Sequence, residues 1–306
     1  MTLPALRDRS CPCCGAQAGR AEIICSGDAE NMTVDQLRSY WHGLEKTKHF
    51  FAYRRCADCA LLYNPVFFDD AQLADLYSDM PPNMDMLPFS AIAATQRGYF
   101  DAAARAGLSS GDYLEIGPDV GHLVTAAVDH GGFDRFWLFE PNQAVHGPLR
   151  QATGQRPVSI LTDMTDLSLV PARSVSLAVM IHVLDHLLDP LAMLRSIHAK
   201  LKPGGKLLIV THDEASLLRR VLGRRWPPFC LQHPLLYSSR TIRALAGRAG
   251  FPAVEVSAST NHFPIDFLAR QAAQAAGVSL PRRLPLPQSA IALRLGNMLT
   301  IAQAAA

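Results

Sequence analysis

Tyr113-Leu-Glu-Ile-Gly-Pro-Asp-Val-Gly-His-Leu123 is followed, after a helix-length stretch, by Phe136-Trp-Leu-Phe-Glu-Pro-Asn142. An apolar strand that runs through Gly117 and Gly121 into a helix places backbone amides at the carboxyl edge of a parallel sheet, where nucleotide-bearing cofactors bind. Glu140 ends the next strand, where one carboxylate can accept from both hydroxyls of a ribose. A dinucleotide loop needs three glycines, G-x-G-x-x-G, so that pyrophosphate can rest on the helix N-terminus. Here Pro118 and Asp119 stand between only two glycines. The Asp119 carboxylate repels pyrophosphate but tolerates a ligand carrying a sulfonium and an amino group. The loop therefore favours an adenosyl-amino-acid cofactor.

Strands and helices keep alternating downstream, the pattern of a doubly wound parallel sheet. Pro157–Leu161 reads as a third strand, ahead of Asp163 and Met164. Ser174–Ile181 is an apolar run of strand length, then His182-Val183-Leu184-Asp185-His186 and Asp189-Pro190 follow. A helix is expected to close at Leu201–Gly205, with Gly204 or Gly205 at its positive-φ end. Lys206–Thr211 is the fifth strand and Ala253–Ser257 the sixth. Between them, helices are expected over Glu214–Gly223 and from Ser238 to Gly250. Ahead of the first strand, Ser90 is expected to cap a helix over Ala91–Ala106.

This ordered set resembles the class I S-adenosylmethionine-dependent methyltransferases, over roughly residues 91–251 and the tail. The resemblance implies an α/β fold with a doubly wound, mostly parallel seven-stranded sheet, closed by an antiparallel last strand at Gly296–Ala302. It implies a cofactor site of Glu115, Gly117, Asp119, Gly121, Glu140, Pro141, Asp163, Met164 and His182. Gly117 and Gly121 would flank the methionine moiety, Glu140 would hold the ribose, and Asp163 would sit beside the adenine. The chain differs from the family at Asp119, usually glycine, and at Ser176, usually aspartate.

The seven cysteines are a second signal. Cys11-Pro12-Cys13-Cys14 and Cys56-Ala57-Asp58-Cys59 are two C-x-x-C turns, and two such turns complete a closed tetrahedral Zn²⁺ shell. We take Cys11, Cys14, Cys56 and Cys59 as ligands of a structural zinc. Roughly 40 residues separate the knuckles, beyond the usual 15–20, so Glu22–Phe51 must form its own loop or helix. Cys13 offers only a poorer spacing, and Cys25 and Cys230 read as small apolar residues. Reduced core cysteines are the competing reading. Tyr53–Tyr63, Asn64-Pro65 and Leu73–Tyr77 resemble the N-terminal zinc ribbon carried by many bacterial methyltransferases. The expected organisation is a zinc module over 1–66, a connector over 67–89 broken at Met80–Asn83, and the methyltransferase domain over 90–306. Lid or insert segments are expected around 213–240 and 262–290, including the Pro- and Arg-rich Leu280–Pro287.

With 306 residues, 49% hydrophobic and 18% charged, the chain can bury a sizeable core. A net charge of +2 argues against nucleic acid as partner. The N-terminus lacks the apolar stretch of a secretory signal, and no run suits a bilayer span. A cytoplasmic protein is expected, with no membrane partner and a homodimer as a permitted assembly.

Methyl transfer is an in-line displacement, and a hydroxyl acceptor benefits from a base near neutral pH. His182 after strand four, His212 after strand five and His233 in the aromatic segment Trp226–Tyr237 are the candidates. His186 is expected to point back into helix packing. Family members that methylate exocyclic or amide nitrogens commonly carry Asn or Asp, two prolines and an aromatic after strand four. Met180-Ile181-His182-Val183 has none of these. The expected acceptor is a small molecule or sugar, methylated at a hydroxyl in secondary metabolism or glycan biosynthesis. An rRNA or tRNA methyltransferase and a non-catalytic cofactor-binding scaffold are the alternatives, and Arg219, Arg220, Arg224 and Arg225 are the sole basic cluster that favours the first.

Overall fold

The computed structural model describes residues 6–41, 49–78, 88–275, 287 and 289–305. The Met80–Asn83 break and nearly all of Leu280–Pro287 lie outside them. The central sheet consists of β1 (Gly111–Ile116), β2 (Phe133–Phe139), β3 (Val158–Leu161), β4 (Val175–Ile181), β5 (Leu201–His212), β6 (Ala253–Ala258) and β7 (Asn297–Gln303). Their order is β6-β7-β5-β4-β1-β2-β3. Only β7 runs against its neighbours, antiparallel to both β5 and β6. The chain enters at β1, winds outward to β3 and returns to β4 on the other side of β1. The adjacent carboxyl ends of β1 and β4 therefore open a crevice at the topological switch point.

Side chains alternate across the strands, so each face of the sheet has its own core. Tyr113, Leu177, Val179, Leu208 and Val210 pack under α1 (Phe89–Arg105), α2 (His122–His130) and α3 (His146–Thr153). Leu114, Ile116, Ala178, Met180, Leu207 and Ile209 face α4 (Pro190–Lys200), α5 (Ser239–Ala249) and the N-terminal module. Ser238 and Thr241 form the capping box of α5, and Gly250 closes it at φ +107°.

Three sequence expectations shift. α1 starts at Phe89, with Pro88 in the cap position, and no side chain caps it; Ser90 lies inside the first turn. The fixed φ of proline pre-sets that turn without a hydroxyl. α4 ends at Lys200, and β5 begins immediately at Leu201, so Gly204 and Gly205 do not close a helix. Pro203 disfavours helix at Lys202, and the chain extends early. Gly204, at φ +72°, serves instead the register shift between Leu201 and Lys206. After β5 the helix is shorter than expected, Leu217–Leu222, capped by Ser216.

The N-terminal residues are built into the rest of the chain. Their strands Glu22–Cys25, Tyr53–Arg55 and Leu62–Tyr63 are completed by Leu235–Leu236 from the segment after β5. The Tyr53 hydroxyl, wholly buried, reaches the carbonyls of Cys230 and His233 at 3.1 and 2.7 Å. Arg55 grips the Glu214 carboxylate with both terminal nitrogens, at 2.8 and 2.9 Å. Phe50, Tyr53, Trp226 and Phe229 pack together across the junction. Among the described residues, no helix is long and apolar enough to cross a membrane.

Candidate active site

The β1–α2 loop takes its shape from three residues in the left-handed region: Gly117 at φ +70°, Asp119 at +50° and Gly121 at +85°. Asp is among the few non-glycine residues that tolerate this conformation, which is how Asp119 stands in for the usual glycine. A Cβ on Gly117 would come within 2.7 Å of Val183 Cγ2, so the tips of β1 and β4 touch here. The Asp119 N–H donates to Glu140 Oε2 at 3.0 Å and the Asn142 N–H to Oε1 at 2.9 Å, which fixes the carboxylate at the end of β2. Burial raises Glu140 above the usual carboxylate range, against those two amides. Glu115 is deeper; burial lifts it to about 8, and the Glu140 and Asp119 charges add to the effect, while the Tyr113 hydroxyl opposes it at 2.6 Å.

The Asp119 and Glu140 carboxyl groups thus edge one glycine loop, with the protonated Glu115 beneath them, an arrangement that disfavours phosphate and suits a cation. The group implied by this fold, an adenosyl sulfonium with an ammonium, fits that charge. Asp163 and Met164 follow β3. Asp163 is exposed and held below its ordinary range by the Thr165 hydroxyl and amide. Pro141 is exposed beside Glu140. Ser176, the other departure, is buried and bonds the Asp112 carbonyl.

Across the crevice the structure brings His182, His212 and His233 together, and adds His186. Ring centroids lie 4.6 Å apart for His182–His212, 4.9 Å for His212–His233 and 4.8 Å for His186–His233. His186 joins the cluster rather than the helix packing expected of it, 2.9 Å from the Tyr77 hydroxyl. Asp185 sits among them, wholly buried. Its Oδ2 accepts from His212 Nδ1 at 2.7 Å and from the His212 backbone N–H at 3.2 Å. Burial opposes the Asp185 charge, but the His212 hydrogen bond and the surrounding imidazoles outweigh it and hold Asp185 below the usual range. Because that carboxylate only accepts, His212 Nδ1 carries the proton in this hydrogen bond.

Burial drives His182 down to about 3, so its ring is neutral. Burial works the same way on His233, yet Cys230, 3.3 Å from its Nδ1, together with Asp185 and the Pro228 carbonyl, lifts it to about 9. Asp185, His186, Tyr77 and Cys230 are absent from the sequence-derived site. For Asp185 the available signal was the His-x-x-Asp spacing from His182; Tyr77 and Cys230 gave none.

Cys11, Cys14, Cys56 and Cys59 offer four sulfurs within 4.8 Å of one another. The two turns have the same backbone. In each, the first cysteine's carbonyl accepts from the residue four on, Gly15 or Ala60, at 2.8 and 2.9 Å. Both of those residues are left-handed, at φ +77° and +65°. Cys13 is buried beside the group.

A seven-stranded sheet in this order, with a carboxylate-edged glycine loop at its switch point, defines a class I S-adenosylmethionine-dependent methyltransferase. A family model described as a methyltransferase domain matches residues 92–256, more than half of the chain, and the chain belongs to that family. No curated protein matches it in sequence. Among solved structures, a chain of the complex between the Haloferax volcanii Trm112 methyltransferase activator and a methyltransferase is 18% identical. That match covers 70% of this chain and 91% of the other, at a TM-score of 0.51. The YcgJ protein of Bacillus subtilis is 16% identical over 68% of this chain and 98% of its own, at 0.49. An O-methyltransferase of Nostoc punctiforme is 12% identical over 76% and 59%, at 0.49.

Proposed function

We propose that this enzyme methylates a hydroxyl of a small molecule or sugar. The observation that supports the reading is the buried Asp185–His212 pair, at the carboxyl end of β5 and across the crevice from the glycine loop. S-adenosylmethionine, when bound, supplies a methyl group already activated as a sulfonium. Glu140 would hold its ribose, the Gly117–Gly121 amides its methionine moiety, and Asp163 its adenine. What remains to the protein is to align the acceptor, exclude water and take a proton. Asp185 fixes the His212 ring with Nε2 as acceptor. As the acceptor oxygen attacks the methyl carbon, its proton passes to His212, and the Asp185 carboxylate stabilises the imidazolium. His182 and His233 line the same space.

Cys11, Cys14, Cys56 and Cys59 would hold a Zn²⁺ whose closed thiolate shell fixes the module and touches no substrate. A reducing compartment, the cytoplasm, suits such thiolates. An RNA acceptor needs a free basic face. Arg219 instead lies over Phe229 within the aromatic segment, 5.8 Å from its centroid, and Arg224 lies over Phe50 of the module at 4.7 Å. The test is transfer of a labelled methyl group to a panel of hydroxylated small molecules and sugars, run beside total RNA. Label in oxygen-linked products is expected; label in RNA alone would overturn the proposal.

A further inference from the structure

The proton-transfer reading leaves two polar atoms without a role. Asp185 Oδ1 and His182 Nδ1 are both buried and have no hydrogen-bond partner among the described residues. A carboxylate with no exposure at all is destabilising unless both of its oxygens are satisfied, and His212 serves only Oδ2. His182 also sits in the left-handed region, at φ +52°, a strained conformation for a residue with a Cβ. That backbone turns its ring toward His212. One potential ligand atom from each of His182, Asp185 and His212 lies within 4.8 Å of the other two. Orphaned lone pairs on a carboxylate and an imidazole, beside a second imidazole, call for a cation.

We propose that His182, Asp185 and His212 hold a divalent transition-metal ion at the mouth of the cofactor crevice, with coordination positions open to the acceptor. Two imidazoles and one carboxylate suit zinc, iron(II), cobalt(II) or nickel(II) and disfavour magnesium or calcium, which take oxygen donors. An acceptor that chelates such an ion carries a second oxygen next to the hydroxyl, as in a vicinal diol, a catechol or an α-hydroxy ketone. Coordination would make the hydroxyl more acidic; its O–H bond breaks and the proton leaves to solvent. The oxygen then bonds the methyl carbon as the carbon–sulfur bond breaks, and S-adenosylhomocysteine departs as the neutral thioether. Metal binding would release the Nδ1 proton that His212 shares with Asp185, so in that state His212 is a ligand rather than the base. This acceptor half rests on the hydroxyl reading above; the metal half does not.

The experiment is reconstitution of the metal-stripped full chain with Co²⁺, with metal content, visible absorption and S-adenosylhomocysteine affinity measured together. Two cobalt ions per chain are expected, one with intense thiolate charge-transfer bands and one with weak ligand-field bands alone. His182→Ala, the milder His182→Gln, and Asp185→Asn should each lose the second set and keep the first. One cobalt per wild-type chain, or two retained in all three variants, overturns the metal site. If S-adenosylhomocysteine still binds and a hydroxyl is methylated by the one-cobalt chain, the base reading stands alone. Two cobalt ions with no methylated hydroxyl would keep the metal and remove the acceptor reading.

Discussion

The tips of β1–β3 and the tips of β4–β5 face each other across one crevice, and they are made of different material. On the first side, the groups are backbone amides of a single left-handed loop and a carboxylate they hold from the next strand. On the second, side chains converge from four separate stretches: Tyr77, the His182–His186 turn, His212 and the Cys230–His233 segment. The second side also leans on the N-terminal module and the connector after it, since Tyr53 fixes the Cys230 and His233 carbonyls and Tyr77 meets His186. On the proposed assignments, a cofactor common to many enzymes would be held by local geometry, and the acceptor side would be assembled by tertiary structure, where an individual protein can set its specificity.

The strongest way to break this contrast is through the cysteines. Cys56→Ser removes one ligand of the proposed zinc shell and should cost the module at least about 3 kcal/mol, seen as an early thermal transition and lost zinc. S-adenosylhomocysteine affinity should stay within two- to threefold, roughly the additivity of distant sites. A single cooperative melt with full zinc content refutes the ligand set, and collapse of cofactor binding merges the two sides into one. Next in size, His212→Ala should lower kcat by about 10²- to 10⁴-fold while cofactor affinity holds. Equal losses in both would place His212 on the cofactor side.

The same contrast explains what was legible in the sequence. The glycine loop, Glu140 and the strand succession are encoded within short windows, so Gly117, Gly121 and the β1–β5 run could be read directly. The knuckles were readable from the C-x-x-C spacing alone, and the structure brings their four sulfurs within 4.8 Å of one another, whereas the left-handed turn at Ala60 left no sign in the sequence. Asp185 could not be read as buried, because the imidazoles that offset its charge come from β5 and from the aromatic segment. The Leu235–Leu236 strand pairs with Leu62–Tyr63, far away in sequence, and two residues show no periodicity of their own. The end of α4 was misplaced because two glycines outweighed Pro203 in the reading, whereas the backbone restriction before a proline acts first.

Two predictions sharpen the cofactor side. Glu115 has its carboxyl lifted from 4.5 to about 8 in the folded chain. A raised carboxyl stabilises the fold most below its unfolded value, and that contribution is lost as pH rises through about 8. Relative to Glu115→Gln, the wild type should therefore lose a few kcal/mol between pH 5 and 8.5 in urea titrations. The opposite slope would mean that Glu115 is ionised in the fold. Glu140→Ala should weaken S-adenosylhomocysteine by about 1.5–3 kcal/mol through the lost charge-assisted bonds, roughly 10- to 150-fold by calorimetry. An unchanged Kd removes Glu140 from the ribose.

The smallest effect tests the seam between the two sides. Gly117→Ala brings a Cβ to 2.7 Å from Val183 Cγ2 and places alanine at φ +70°. The backbone part alone costs on the order of 1–2 kcal/mol, and the collision adds to it. Val183→Ala removes the colliding methyl, so the double variant should recover the steric part and keep the backbone part. A coupling of about 0.5–1 kcal/mol in unfolding free energy is the expected reading of that cycle. If it holds, the tips of β1 and β4 are one packed unit, and substitutions at His182 can reach the glycine loop through Val183. A coupling near zero means that the loop shifts away freely, and the two sides then meet only through what binds between them.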